Sequence, residues 1–538
     1  MRYLMIFLFA MVLLLPFGVR QFLTSGQPSR IDSGEVEELT LRIVTPHNQD
    51  IRREFGRAFS VWHRAKFGKG VTVEYLTPGG TNDIIRMLAA RYAGRGPDAN
   101  SPAVLSSGSI DIELFWGGGD SEFNRCKTLI TSGDKSFSVL QPVSLPAGLL
   151  AEAFPKQSLN GVRIVDAFTE VAGTVTVGPQ WVGVCLSEFG IVYNPQVFKD
   201  LNIDPPSQWA DMADPRLMGF VALADPTRSG SAAVTYMMIL QRAMADAEEE
   251  IFKTNPELKT LPYDQRIKIA AYRKAIENGF DTGMSQLIFI AANSRYFTDS
   301  ASQVPKDVST GDAAVGTAID FYGRTFEEQV NTKEFTRIRY VSPVASTAIT
   351  PDPIAILHGT MGKRLELSNR FIEFLLTPEA QKLWIKKPGT PGGPVERALR
   401  RPPVRSDVYT DRTDWTDKGN PFESAGGFNQ RREWMGFFGD IRPVWSAAWI
   451  DAREPLRDAY RKILALPDAD RRAALLKELG AIPVTLADIE SNVVSRRAME
   501  AQDTREKTSN GPYFLAKRRI DWAKKFRAHF EAVGAKAG

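Results

Sequence analysis

The sequence predicts an α/β fold of two lobes, each with a largely parallel sheet, followed by a mainly helical C-terminal extension. Three observations carry this prediction. The chain has 538 residues, too many for one ordinary domain. Its composition, 43% apolar and 24% charged, is globular. Units of strand, glycine- or proline-rich turn and helix recur along it. In the first unit Leu41, Ile43 and Val44 start a strand and Pro46 breaks it. Ile51, Phe55, Phe59 and Trp62 then share one helical face. The second unit is VTVEYLTPGGTNDIIRMLAARYAG and the third is DIELFWGGGDSEFNRCKTLI. Their turns are Thr45–Asn48, Pro78–Thr81 and Trp116–Asp120. Ligands of open α/β sheets bind at such turns, beyond the carboxyl ends of the strands.

The stretch 182–194 (VGVCLSEFGIVYN) is β-rich and long enough to cross between lobes. A further strand–turn–helix unit follows at 219–250, then a charged helical stretch to 292. Strand-like segments at 311–323 and 337–359 precede an amphipathic helix pair at 364–387 and the run PGTPGGP at 388–394. Residues 401–538 are first aromatic-rich, then charged and helical. The expected organisation is 1–25 leader, 26–40 polar tether, 41–188 and 336–400 lobe 1, 189–335 lobe 2, and 401–538 extension.

At the N-terminus Arg2 precedes the apolar run Tyr3 to Val19, which fits an export signal. A small-x-small cleavage site is not evident, and the run nearly spans a bilayer. It reads as a cleaved signal peptide or an uncleaved anchor, and either places the bulk of the chain outside the cytoplasm. Mean hydropathy is −0.21, which excludes a many-span membrane protein. Sixty-seven Lys and Arg balance 63 Asp and Glu, which argues against nucleic acid as a partner. Two cysteines and four histidines exclude a disulfide scaffold and a Cys/His-rich metal cluster, and no cofactor is expected. Cys126 and Cys185, exported together, are a disulfide candidate; two buried free thiols are the alternative.

The most informative local segment is DPTRSGSAA. Pro226 ends a strand, and Thr227 or Ser229 can cap the helix starting near Ser231. The first helical turn leaves N–H groups without partners, and the helix dipole adds positive charge. Gly230 permits close approach, Ser229 and Ser231 add hydroxyls, and Arg228 adds charge, so the segment reads as an anion site or an ordinary capped helix. Gly79, Gly80 and Thr81 form a second glycine-rich helix start, and Trp116, Gly117 and Gly118 a third. Trp116 either stacks on a planar ligand or packs in the core.

Five segments in order, FWGGG (115–119), SEFGIVYNPQVF (187–198), 207–233, GDAAVGTAIDFYG (311–323) and FIEFLLTPEAQKLW (371–384), resemble the substrate-binding proteins of bacterial ABC importers. The resemblance is to the branch of ferric-ion, thiamine, polyamine and phosphonate or sugar-phosphate binders, and it covers about residues 41–400. It implies a two-lobed periplasmic-binding-protein fold, type II-like, with two crossing strands that close over a small-molecule solute. It further implies a periplasmic monomer that delivers the solute to an ABC permease in the inner membrane, where an uncleaved N-terminal segment would tether it. It also adds Ser187 at the crossing, His47 and Asn48 in the first turn, and Asn293, Asp320 and Tyr322 in lobe 2 to the expected ligand-binding residues. Arg295 and Ser300 are further candidates for the cleft wall, and Asp352 is a weaker one.

In ferric binders a histidine and adjacent tyrosines ligate iron. His47 and Tyr322 match, but Phe321 stands where the first tyrosine belongs, which speaks against iron. Catalytic motifs are missing: Ser132-Gly-Asp-Lys135 matches SxxK but has no Lys-Thr-Gly partner. A non-enzymatic receptor is therefore expected; a periplasmic hydrolase or an anchored two-lobed sensor is the alternative. The expected order of ligands is phosphorylated or phosphonate solute, thiamine or its phosphates, iron, polyamine, on the assumption that no carboxylate cluster faces the cleft.

Overall fold

The computed structural model describes residues 39–538 except 100–103, 107, 133–134, 157, 160–161, 166–167, 172–173, 424–427, 429–430, 432 and 507–510. The leader and nearly all of the tether lie outside the described residues, as do the two central residues of the SxxK match. Among the described residues no helix is long and apolar enough to cross a membrane.

The chain starts with β1 (Leu39–Val44) and α1 (Gln49–Phe67). Asn48 caps α1, its Oδ1 accepting from Ile51 N at 3.0 Å, and Gly68 ends it in the left-handed region. β2 (Val71–Leu76), α2 (Thr81–Tyr92), β3 (Leu114–Trp116), α3 (Asp120–Cys126), β4 (Leu140–Gln141) and β5 (Val182–Ser187) follow. One residue later β6 (Phe189–Tyr193) opens the second lobe. It is followed by β7 (Val221–Ala224), α4 (Gly230–Thr254), α5 (Ala270–Ala292), β8 (Ser294–Thr298), β9 (Val315–Ile319), α6 (Asp320–Val330) and β10 (Arg339–Val341). The chain returns to the first lobe in β11 (Thr350–Leu357), α7 (Gly362–Leu375) and α8 (Pro378–Leu383).

The first sheet runs β5–β11–β3–β1–β2, with β4 on β11. β1 is parallel to β2 and β3, whereas β11 is antiparallel to β3 and β5. The second sheet runs β8–β7–β9–β6–β10, with β7 parallel to β8 and β9 and with β6 antiparallel to β9 and β10. This is a two-lobed α/β fold joined by two crossings, between Ser187 and Phe189 and between Val341 and Thr350. Both sheets end their parallel strands at the cleft.

The return crossing comes later than the expected boundary at 336, because Arg339–Val341 pair with β6 of lobe 2. The boundary at 400 also moves. Residues 401–422 pack on lobe 1: Arg401 N donates to Trp384 O at 2.9 Å and Val404 N to Gln381 Oε1 at 2.8 Å. Leu399 and Val404 join the lobe 1 core beside α1, α7 and α8. The remainder forms α9 (Phe438–Ser446), α10 (Arg453–Leu464), α11 (Ala469–Gly480), α12 (Leu486–Glu506) and α13 (Gly511–Ala537). Its Trp434, Trp445, Trp449, Phe526 and Phe530 share one core with α4 and α5 of lobe 2. The extension is thus built into both lobes rather than appended to them.

Candidate functional site

A cavity of about 550 Å³ lies between the lobes. Lobe 1 supplies the turns after its parallel strands: Pro46 and His47, Gly79 to Thr81, and Gly118 to Glu122. Lobe 2 supplies Arg228 to Ser231 at the start of α4, Asp299 to Ser302 after β8, and Ile319, Phe321 and Tyr322 around the start of α6. Ser187, Phe189, Thr350 and Asp352 come from the crossings. The lobes touch across it: Asn82 Nδ2 donates to Thr227 O at 3.2 Å and to Arg228 O at 3.3 Å.

The floor is a buried charge cluster. Asp352 Oδ2 meets His47 Nε2 at 3.0 Å and receives Arg401 Nη1, while its Oδ1 accepts from Gly118 N at 2.9 Å. Arg401 also donates to Ser187 Oγ and lies over the Phe321 ring at 4.6 Å. Burial drives the Asp352 carboxyl up, but Arg401 and His47 outweigh it and hold it below the usual range. Burial holds the His47 imidazole below its ordinary value, against the pull of Asp352. His47 Nδ1 and Arg401 Nε have no partner.

At the α4 start Ser229 is the N-cap, its Oγ accepting from Ala232 N at 3.3 Å and lying 3.2 Å from Ser231 Oγ. The helix begins at Gly230, one residue ahead of the expected start. From the facing lobe, Thr81 Oγ1 and Glu122 Oε1 come within 2.9 and 3.2 Å of where a Gly230 β-carbon would sit. Glu122 is 2% exposed; its Oε2 accepts from Ser121 Oγ at 2.6 Å and its Oε1 has no partner.

His47, Gly79, Gly80, Thr81, Gly118, Ser187, Arg228, Ser229, Gly230, Ser231 and Tyr322 therefore line one cavity, as do Ser300 and Asp352. Seven expected residues do not line it. Asn48 is spent on capping α1. Trp116 is fully buried among Phe55, Phe371 and Trp384, so it packs and does not stack on a ligand. Gly117 faces the His47 ring, which leaves no room for a β-carbon. Thr227 turns to Asp225, with its N and Oγ1 both 2.7 Å from Oδ1. Asn293 is fully buried under lobe 2, donating to Met212 O and Asp214 O. Asp320 is buried beside the site; burial, with Glu188 adding, pushes its carboxyl up to about 7. Arg295 instead holds Asp312 O.

The assumed lack of carboxylates is also corrected. Asp83, Asp120, Glu122, Asp299 and Asp352 all line the cavity. Arg86, Arg228 and Arg401 pair with Asp83, Asp299 and Asp352 respectively. For iron, the fixed charge of Arg401 stands beside His47 and over Phe321, where a cation would have to sit. No group of three or more His, Cys, Asp or Glu suited to a metal occurs among the described residues. The two cysteines are free and buried, Cys126 in the core on one side of the first sheet and Cys185 in the core on the other, so the disulfide candidate is not formed.

Arg401, Glu122 and Met435 were not expected. Arg401 and Met435 lie in the stretch read as extension. Glu122 had a signal, the first helical turn after WGGGD, which was read only for its glycines.

Residues 160–416 match the family of bacterial extracellular solute-binding proteins. Over 202 residues the chain is 21% identical to the phosphoglycerate transport regulatory protein PgtC of Salmonella typhimurium, spanning 38% of this chain and 40% of that protein's length. Among solved structures, it is similar to the fructose-6-phosphate-bound periplasmic binding protein AfuA from Actinobacillus pleuropneumoniae. That match has 16% identity and a TM-score of 0.45, and covers 74% of this chain and 98% of the other. It is also similar to iron-bound HitA from Pseudomonas aeruginosa, with 15% identity and a TM-score of 0.44, covering 75% and 96%.

Proposed function

We propose that this chain, which over residues 160–416 matches the bacterial extracellular solute-binding proteins, captures a small hydroxylated phosphate ester between its lobes and hands it to an ABC permease. Members of this family are binding proteins that deliver small solutes to such permeases. The observation that carries the solute class is the start of α4 in the cavity wall. There the Gly230 and Ser231 amides have no intrahelical acceptor, whereas Ala232 N is taken by the Ser229 cap, and the Ser229 and Ser231 hydroxyls stand beside them. A phosphoryl oxygen there accepts these donors and faces the positive end of the helix dipole.

Glu122 refines the reading. Its unpaired Oε1 calls for a donor, and a carboxylate facing a bare phosphate would repel it. A solute with hydroxyl groups next to its phosphate satisfies both. The apolar rings of Phe189 and Phe321 cover the remaining wall and help exclude water when the lobes meet. The partial match to a protein named for phosphoglycerate transport agrees with this class.

Calorimetry with 3-phosphoglycerate, glycerol 3-phosphate and fructose 6-phosphate, each beside its unphosphorylated parent, tests it. At least one ester should bind about tenfold tighter than its parent, a difference of about 1.4 kcal/mol. Changing Ser229 and Ser231 together to Ala should weaken that binding by about 1–3 kcal/mol. Equal binding of esters and parents would reject the phosphate.

A further inference from the structure

The region beyond the family match, residues 417–538, lines the cavity at one place and backs its wall at another. Met435 is part of its wall. Arg442 and Ser446, on α9, hold the turn that leads into α4 from behind. Arg442 Nε donates to Pro226 O at 2.7 Å and Ser446 Oγ to Asp225 Oδ1 at 3.1 Å. That same Asp225 oxygen accepts from Thr227, and Asp225 O accepts from Arg228 N and Ser229 N. One residue, Asp225, therefore shapes the turn before the α4 amides, its carboxylate holding Thr227 and its backbone carbonyl holding Arg228 and Ser229, and α9 fixes its carboxylate.

The backing is rigid. Trp445 and Trp449 meet the Tyr236 ring edge-on at 5.9 and 5.1 Å, and Tyr236 Oη donates to Ala224 O at 2.8 Å, at the end of β7. Arg442 is also a buried positive charge, 7% exposed, set behind the positive end of the α4 dipole. Its Nη2 has no partner, and burial holds its pKa below the ordinary arginine value, with Glu122 across the cleft acting against that. A cation at this place adds to the field that an anion at the α4 start would feel.

We propose that the C-terminal extension is part of the solute site, with Arg442 positioning and charging the α4 start and Met435 setting the size of the cavity. The proposal rests on the cleft being the solute site, though not on which solute fills it.

The test uses the full chain with Arg442→Met, Arg442→Lys, Ser446→Ala and Met435→Ala, each checked by thermal melting. With 3-phosphoglycerate in calorimetry, Arg442→Met should bind about tenfold weaker while Arg442→Lys stays within about threefold of the parent. Met435→Ala should hold 3-phosphoglycerate within about threefold and improve fructose 6-phosphate relative to it by at least as much. Folded variants with parental affinities for both esters would overturn the proposal. If Arg442→Met does not fold, Ser446→Ala carries the test, with an expected loss of about threefold.

Hydrogen exchange of amides 227–232 separates this proposal from the phosphate reading. If the parent binds no ester, the phosphate reading falls, and the proposal then requires faster exchange there in Ser446→Ala and in folded Arg442→Met. Unchanged exchange would overturn it.

Discussion

Arg401 and Asp352 are 3% and 4% exposed at their side chains, so each depends on the other to remain charged. Asp352→Asn would leave the Arg401 guanidinium buried without its countercharge, at a cost of about 3–5 kcal/mol. Denaturant unfolding should show that loss, and a change below about 1 kcal/mol would mean that Ser187 and the surrounding rings suffice. The pH behaviour follows from two depressed pKa values in this cluster. Burial lowers the His47 pKa in the fold, whereas the unfolded chain takes its proton near pH 6.5, so stability falls as pH drops below that value. Asp352 is also depressed, so its contribution is present above the ordinary carboxyl range and is lost as pH falls through its lower folded value. Asp320 behaves oppositely. Burial raises it to about 7, so between its unfolded value near 4 and 7 the folded state binds the extra proton and stability declines as pH rises. The charges that face it are Glu188, Arg324 and Arg401. Asp320→Asn should therefore raise the melting temperature more at pH 8 than at pH 5, and an equal effect at both would contradict the assignment. His47 was legible in the sequence as a turn residue, and Asp352 as a weaker candidate in the strand-like TPDP stretch. Arg401 was not, because it follows a proline- and glycine-rich run and meets His47 across 354 residues.

Five helix starts, the loop after β8 and two crossings place almost every polar group of the cleft, which is why so much of the site could be read from strand–turn–helix units. Glycine-rich turns at strand ends are a local signal, and α/β topology brings such ends together. The errors share one cause: local sequence does not say which face of a turn is inward. Trp116 lies on β3 beside Gly117 and Gly118, yet its ring turns into the core with Phe55 and Trp384, whereas Gly118 reaches the cavity. Asn293 follows α5 and its Nδ2 is taken by two carbonyls of the segment before β7. At the α4 start, Gly230 lies where the lobes are nearest. A valine there would drive its side chain into Thr81 Oγ1 and Glu122 Oε1, both within about 3 Å of the added β-carbon. Its φ is unexceptional, so the helix itself tolerates the change. Gly230→Val should therefore hold the lobes apart. Small-angle scattering should show a larger radius of gyration than the parent, with the melting temperature unchanged within a few degrees and ester affinity reduced at least tenfold. A compact variant that still binds would show that the cleft adapts by moving Glu122 alone.

At the scale of the molecule, the aromatic-rich stretch after residue 401 was legible as structured but not as part of either lobe, since its partners are far away in sequence. Trp445 illustrates the coupling. It is fully buried, stacks on Trp449 at 5.7 Å, and its Nε1 lies 3.2 Å from Met284 Sδ of α5. The core it joins holds α4 and α5 together with α9, α10 and α13, whereas lobe 1 keeps separate cores on the two sides of its sheet. Truncating this side chain removes a large ring from a packed interior, at a cost of about 3–5 kcal/mol. That cost should fall on lobe 2 and the extension, which melt as one unit, and leave the lobe 1 transition in place. Deleting residues 433–538 takes the same argument further. It strips the cover from α4 and α5 and exposes Tyr236, Met284 and Phe280 to water. Calorimetry should then show the lobe 2 transition lost and the lobe 1 transition retained, with dye binding reporting the uncovered apolar surface. A shortened chain that kept both transitions and bound no dye would mean that lobe 2 is complete without its extension.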